Sequence, residues 1–234
     1  MSTRLLPTWV GALTLATVLV GCGQGLPSGP SLVRQVAAAM VRAGSYRITG
    51  SDRAGPTTTS FRVVVRRDGD FSGTLNIAVP HSPTFRSDIV SLGEKVYVRS
   101  PTELQELGIT SLPGNLNPET TWVLQPASVA TSYRKSLHPF AGVGLAATLR
   151  RALKGPATVR RSQLGGRRVL LIQENGGGSS LRLFVEPTSD HLLELAITGR
   201  QPVVLKYAAF GIAQKVEPPP GSLVYVPPAG AGAG

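Results

Sequence analysis

Ser60-Phe61-Arg62-Val63-Val64-Val65-Arg66-Arg67-Asp68-Gly69-Asp70-Phe71-Ser72-Gly73-Thr74-Leu75-Asn76-Ile77-Ala78-Val79 decides the fold class. Phe61, Val63 and Val65 alternate with Arg62 and Arg66, a period of two with one wet face. Asp68-Gly69 is a hairpin turn signal, because glycine enters the left-handed region that tight turns need. Phe71 to Val79 is the return strand, with Leu75, Ile77 and Val79 on one side. Two alternating runs around such a turn form an antiparallel pair with one buried face.

The strand rhythm continues on both sides. After the break at Pro80 to Pro83, Phe85 to Leu92 and Lys95 to Arg99 make a second hairpin around Gly93-Glu94. Pro101 to Pro118 is irregular, with a helical turn at Thr102 to Leu107, and Thr121 to Gln125 is a short strand holding Trp122. Upstream, Tyr46 to Gly50 reads as a short strand. Ser31 to Ala43 reads as an amphipathic helix, with Ser31 as N-cap, an apolar stripe through Leu32, Val33, Val36, Ala39 and Met40, and Gly44 as terminator. Ser128 to Lys154 changes to a helical period and is broken near Pro139 or Gly142-Val143-Gly144. Five further strands follow at Ala157 to Gln163, Arg167 to Glu174, Ser180 to Glu186, Leu192 to Thr198 and Val203 to Phe210. Pro218 to Pro220 and the terminal Pro-Pro-Ala-Gly read as an extended tail. Helix, meander, helix and meander at strand spacings of about 8–12 residues predict an α+β fold. The expected sheet is curved and largely antiparallel, with about ten strands.

Met1 to Gly21 has the parts of an export signal, with Arg4 ahead of an apolar run from Leu5 to Val20. Pro7 and several threonines interrupt that run, leaving it short of the ~20 apolar residues that span a bilayer. Leu19-Val20-Gly21-Cys22 closes it. The cysteine stands where a bacterial lipoprotein precursor has its acceptor thiol, so Cys22 is the expected lipidation site. As the chain's only cysteine it excludes a disulfide fold and a cysteine-based zinc site. The expected organisation is a signal peptide at 1–21, a flexible tether at 22–30, one domain at 31–226 and a disordered tail at 227–234. A tether of eight extended residues reaches at most ~27 Å. The domain would therefore stay beside the membrane, with Cys22 as the attachment.

Lys and Arg number 24 against 13 Asp and Glu. Nucleic acid is not the expected partner of an exported chain. Anionic phospholipid or an anionic envelope polymer fits the excess better, since each basic group near such a surface gains ~1 kcal/mol. The basic residues look scattered along strands, as on a solvated face. No catalytic constellation stands out. His81, His138 and His191 are dispersed, and neither G-x-S-x-G nor H-E-x-x-H occurs. Gly142-Val143-Gly144 with Ala147 fits G-x-G-x-x-A. It lacks the preceding strand and following acidic residue of a dinucleotide site, and reads as a helix break. Glu103 and Glu106 read as solvated. A non-enzymatic chain without metal or cofactor is expected.

One larger pattern runs from the N-terminal helix to the end of the domain. The helix leads into Ser45-Tyr46-Arg47-Ile48. Next come Asp88-Ile89-Val90-Ser91-Leu92-Gly93-Glu94-Lys95-Val96-Tyr97-Val98 and Trp122-Val123. Leu183-Phe184-Val185-Glu186-Pro187 and Val204-Leu205-Lys206-Tyr207-Ala208-Ala209-Phe210-Gly211 follow, closing with Val216-Glu217-Pro218-Pro219. With the cysteine motif ahead of it, this order resembles the actinobacterial LppX/LprG-type lipoproteins of the LolA-like superfamily. The resemblance covers most of residues 31–226. It implies a half-barrel sheet wrapped over helices, with an apolar cavity that takes acyl chains. Several members of that family carry lipids or lipoglycans. A curved sheet has more inward surface than helices fill, so the inward positions are the expected cavity wall. They are Val63, Val65, Leu75, Ile77, Val96, Val98, Leu183, Val185, Leu193 and Leu195, with Ile197 beyond them. Two functions follow as expectations: an anchored lipoprotein that binds or carries an amphipathic lipid or lipoglycan, or an envelope interaction module with a filled core and a basic face for a protein or anionic polymer. An apolar cavity above ~300 Å³ would favour the first, and a closed interior the second.

Overall fold

The structure is a computed structural model that describes residues 25–228, except 107–108, 110–111, 115, 141, 154–156, 177–178, 200–201 and 213–214. Cys22, the signal segment and residues 229–234 lie outside the described residues.

Helix α1 (Gly29–Arg42) starts two residues earlier than its apolar stripe suggests. Ser28, not Ser31, is the N-cap: its side chain accepts from the Ser31 amide at 3.4 Å. Proline is favoured in the first helical turn because its missing N–H has no intrahelical partner there, so Pro30 belongs to the helix rather than the tether. Gly44, at φ 73°, turns the chain out of α1 and into the first strand.

The first meander is β1 (Ser45–Ala54), β2 (Thr57–Arg66), β3 (Phe71–Ala78), β4 (Phe85–Leu92) and β5 (Lys95–Arg99). A short α2 (Pro101–Glu106) and β6 (Trp122–Leu124) follow, then α3 (Ala127–Leu137), a 3₁₀ turn at His138–Phe140 and α4 (Gly142–Ala152). A Cβ on Gly144 would overlap the His138 carbonyl oxygen, so the glycine lets α4 start hard against that turn. The second meander is β7 (Thr158–Leu164), β8 (Arg167–Gly176), β9 (Ser179–Val185), β10 (Leu192–Thr198) and β11 (Val203–Ala208). The proline-rich end does not stay a loose tail: Val216 and Pro219 are buried, and β12 (Val224–Tyr225) pairs in parallel with β6.

Among the described residues, twelve strands form one open, curved sheet in the order β12-β6-β5-β4-β3-β2-β1-β11-β10-β9-β8-β7. The two meanders join where β1 pairs with β11, and every pairing but β12–β6 is antiparallel. Alternation carries one apolar face across the sheet. Tyr46 and Ile48 of β1 stand opposite Val65 and Val63 of β2, and Ile48 also stands opposite Tyr207 of β11. Leu205 faces Leu195, and Leu195 faces Leu183. This face joins Leu32, Val36 and Met40 of α1, Ala130 of α3 and Leu145 and Leu149 of α4 in one core. The other face is not uniformly wet, since Val90, Val169 and Leu171 are buried there.

Candidate functional site

The apolar face is not filled everywhere. Between β2–β4 and α3 lies a pocket of about 230 Å³. Phe61 and Val63 line it from β2, Phe71 and Leu75 from β3, and Ile89 from β4. Tyr133 and Leu137, one turn apart on α3, close the opposite wall. Two features of the sequence make the gap. Gly73, between Phe71 and Leu75 on the pocket side, contributes no side chain, and a Cβ there would overlap the Arg62 carbonyl oxygen. Phe61 leans across β1 instead, its ring within 2.6 Å of where a Cβ on Gly50 would sit.

The pocket is apolar in chemistry. Its only polar lining residues are Thr74, Tyr133 and Ser136, the Thr74 hydroxyl being turned to Asp88 on the outer face, and no carboxylate, imidazole or cation lines it. A cavity this size equals roughly seven or eight water volumes, at about 30 Å³ each. It can accept a hydrocarbon arm and offers nothing to hold a metal or a charged cofactor. Among the described residues no group of three or more His, Asp or Glu could hold a metal ion. The histidines stay apart: His81 in the turn after β3, His138 between α3 and α4, and His191 just before β10.

The strands behind the pocket are held in place from the outer face. Asp88 of β4 accepts from Thr74 Oγ1 at 2.8 Å and from Arg99 at 2.6 Å, its direct neighbours on β3 and β5, and Arg86 adds a contact at 3.4 Å. The Arg99 guanidinium also lies 4.9 Å over the Trp122 ring. Burial alone would raise the Asp88 carboxyl. The hydrogen bonds from Arg99 and Thr74 and the charges of Arg86 and Arg99 outweigh it and hold the group below its ordinary value.

The end of the sheet where β1 begins is closed by aromatic packing. Tyr46 lies 5.9 Å from Tyr207 and 6.2 Å from Phe210, and His191 stacks on Phe210 at 4.2 Å. Burial, with a smaller contribution from Tyr46, drives the Tyr207 phenol far above its ordinary value, so it stays neutral.

Of the expected cavity wall, Val63 and Leu75 line the pocket. Val65, Val96 and Val98 are buried in the core, as are Leu183, Val185 and Leu195. Ile77 is half-buried beyond the pocket, and Ile197 is 37% exposed. Leu193 is displaced from the inward set. A bulge between Leu192 and Glu194 shifts the alternation by one, putting Leu192 in the core and leaving Leu193 half-buried. Phe61, Phe71 and Ile89 were open to the same parity reading that finds Val63 and Leu75. Tyr133 and Leu137 were not, because no local signal says which strands α3 covers.

No family model matches the chain, and neither does any curated protein. Among solved structures, LprF from Mycobacterium bovis superposes with a TM-score of 0.55 at 14% identity, covering 84% of this chain and 100% of that one. The fold is therefore that of LprF: a large, mostly antiparallel, unclosed sheet over helices. Looser overlaps are found with MucB in its complex with MucA(peri), TM-score 0.38 at 11% identity over 81% of this chain and 58% of that one. The Pseudomonas aeruginosa MucA/MucB complex gives 0.37 at 11%, over 81% and 60%.

Proposed function

We propose that this chain is a lipoprotein of the cell envelope, anchored through Cys22, that takes the acyl chain of an amphipathic lipid into the pocket between β2–β4 and α3. The observation that carries the reading is the pocket itself: a gap in the core, walled by hydrocarbon and placed where a sheet meets a helix. The rest of the proposal is in keeping with it. Residues 1–21 form the signal peptide, Cys22 accepts the lipid, and the tether ends at the Ser28 cap rather than at Pro30. No helix among the described residues is long and apolar enough to cross a membrane. The chemistry is binding rather than catalysis, since no nucleophile–base pair or metal-ligand group faces the pocket.

Native mass spectrometry of the chain from its host tests this reading. The parent should carry a co-purifying lipid, and Ile89→Trp, which fills the pocket from β4, should lose it without losing the fold. A parent that is empty from every preparation would refute the carrier role. Anchoring is tested apart: Cys22→Ser should move the protein out of the membrane fraction.

The second reading, an envelope interaction module that binds a protein, draws on one observation. About 230 Å³ lies below the ~300 Å³ at which small-molecule pockets begin. It predicts capture of one protein partner equally well by the parent and by Ile89→Trp.

A further inference from the structure

The chain's carboxylates, unlike its cations, are confined to one layer, which the sequence order hides. None of its 13 acidic residues lies in α1, α3 or α4. Those helices carry Arg34 and Arg42, Arg134 and Lys135, and Arg150 and Arg151. The carboxylates belong to the sheet, its turns, α2 and the segments before β6 and β12. Among the described residues, the ion pairs join Arg66 to Asp68, Arg86 and Arg99 to Asp88, and Lys215 to Glu217. None uses a cation of these three helices.

Three of the six converge. Arg34, Ala38 and Arg42 repeat every fourth residue along the exposed stripe of α1, opposite its buried Leu32, Val36 and Met40. Ala146 and Arg150 make the facing stripe of α4. Between them runs an open groove of about 410 Å³, with small side chains on its floor and guanidiniums along its rim. Arg150 Nε donates to the Ala146 carbonyl at 3.2 Å, which holds that guanidinium over the groove.

We infer that the α1/α4 face is a docking surface for an anionic phospholipid membrane, with Arg34, Arg42 and Arg150 seating lipid phosphates. Charge complementarity carries the choice: Arg34, Arg42 and Arg150 converge on a groove whose two helices bear no carboxylate, so it is attracted to a negative surface, and its floor of alanines leaves headgroups room to approach. The groove also lies on the helix that directly follows the N-terminal segment, within a few turns of where that segment enters the domain. Docking there is independent of what the pocket between β2–β4 and α3 binds.

The test uses the full chain with Cys22→Ser, so that the lipid anchor is not the readout. Binding is measured to phosphatidylcholine vesicles with and without phosphatidylglycerol, at low and high salt. The apolar N-terminal run and Arg4 are common to all variants, so the anionic-to-neutral binding ratio isolates the face. The parent should prefer anionic vesicles and lose that preference in high salt. Arg34→Gln/Arg42→Gln/Arg150→Gln should reduce the ratio by about a hundredfold. The corresponding triple Lys variant should keep it within a few-fold, since charge near the surface is what acts. Arg160→Gln/Arg161→Gln/Arg167→Gln, on the β7–β8 hairpin, removes the same net charge elsewhere and should change the ratio little. An equal loss in the hairpin variant would show a net-charge effect and overturn the assignment. So would binding to a soluble anionic polysaccharide without binding to anionic vesicles, or a glutamine triple variant that folds and keeps its preference.

Discussion

The two halves of the sheet obey the same alternation and end in different states. On the β7–β11 side, Ile172, Leu183, Val185 and Leu192 have no exposed surface at all. On the β2–β4 side, Leu75 and Ile77 are only half-buried, and Phe85 stays 39% exposed. The difference lies in the cover. Helix α1 runs from Ala157, beside β7, where a Cβ on Gly29 would come within 2.9 Å, to Gly44 at the start of β1. It therefore fills the space over the second meander with Leu32, Val36 and Met40. Helix α3 offers the first meander Ala130, Tyr133 and Leu137, which leaves a gap. Identical strand patterns become a core or a pocket according to the helix laid over them.

Truncation should break this contrast most sharply. Leu183→Ala opens a cavity in the filled half and should cost about 2–5 kcal/mol, whereas Leu75→Ala in the open half should cost about 1 kcal/mol, because less surface leaves water there. Urea unfolding of the two variants measures both, and equal losses would mean the halves are packed alike. Gly73→Ala should come next, at about 1–3 kcal/mol, since the new methyl meets the Arg62 backbone and β2 and β3 must part. The same unfolding experiment reads it, and a neutral result would show that the strands can separate freely behind the pocket.

The smallest effect is that of Asp88, and it is visible only in acid. Its folded pKa lies below the ordinary 3.8. The unfolded chain therefore takes up its proton first as pH falls, and the stability Asp88 contributes is full above pH 3.8 and is lost as pH drops through the lowered folded value. Asp88→Asn should flatten that acid limb of the stability profile while leaving the filled half untouched. A profile that keeps its slope in the variant would assign the acid sensitivity to other carboxylates.

Much of this architecture is legible in local pattern. Phe85 to Leu92, Lys95 to Arg99 and Leu192 to Thr198 are strands with those same bounds in the structure, since each is set off by turn residues. β1 is longer than its apolar letters show. Ser51 and Asp52, beyond the expected end at Gly50, have no strand signature and are held by backbone pairing to both β2 and β11. Proline misleads twice: Pro30 looks like tether and sits in a first helical turn, and the segment from Pro218 looks like a loose end yet leads into β12. At the pocket, Val63 and Leu75 declare their face by parity. Which part of that face remains open is set by the docking of α3 and by the missing side chain of Gly73, and neither has a local sequence signature.

The sheet's central seam also sets the order in which the protein can assemble. Ser45 at the head of β1 donates to the carbonyl of Ile212, 167 residues away, just after the pairing of β1 with β11. Each meander can form from neighbouring hairpins, but the seam must wait until almost the whole chain is present. Loop closure over that distance comes before any compensating contact, so folding should be slow for a domain of this size. Until it is complete, β1 presents an unpaired edge to any other strand nearby. A chain that emerges in pieces needs that edge shielded, which makes the time spent with β1 open, rather than the final stability, the property most exposed to mutation in β11.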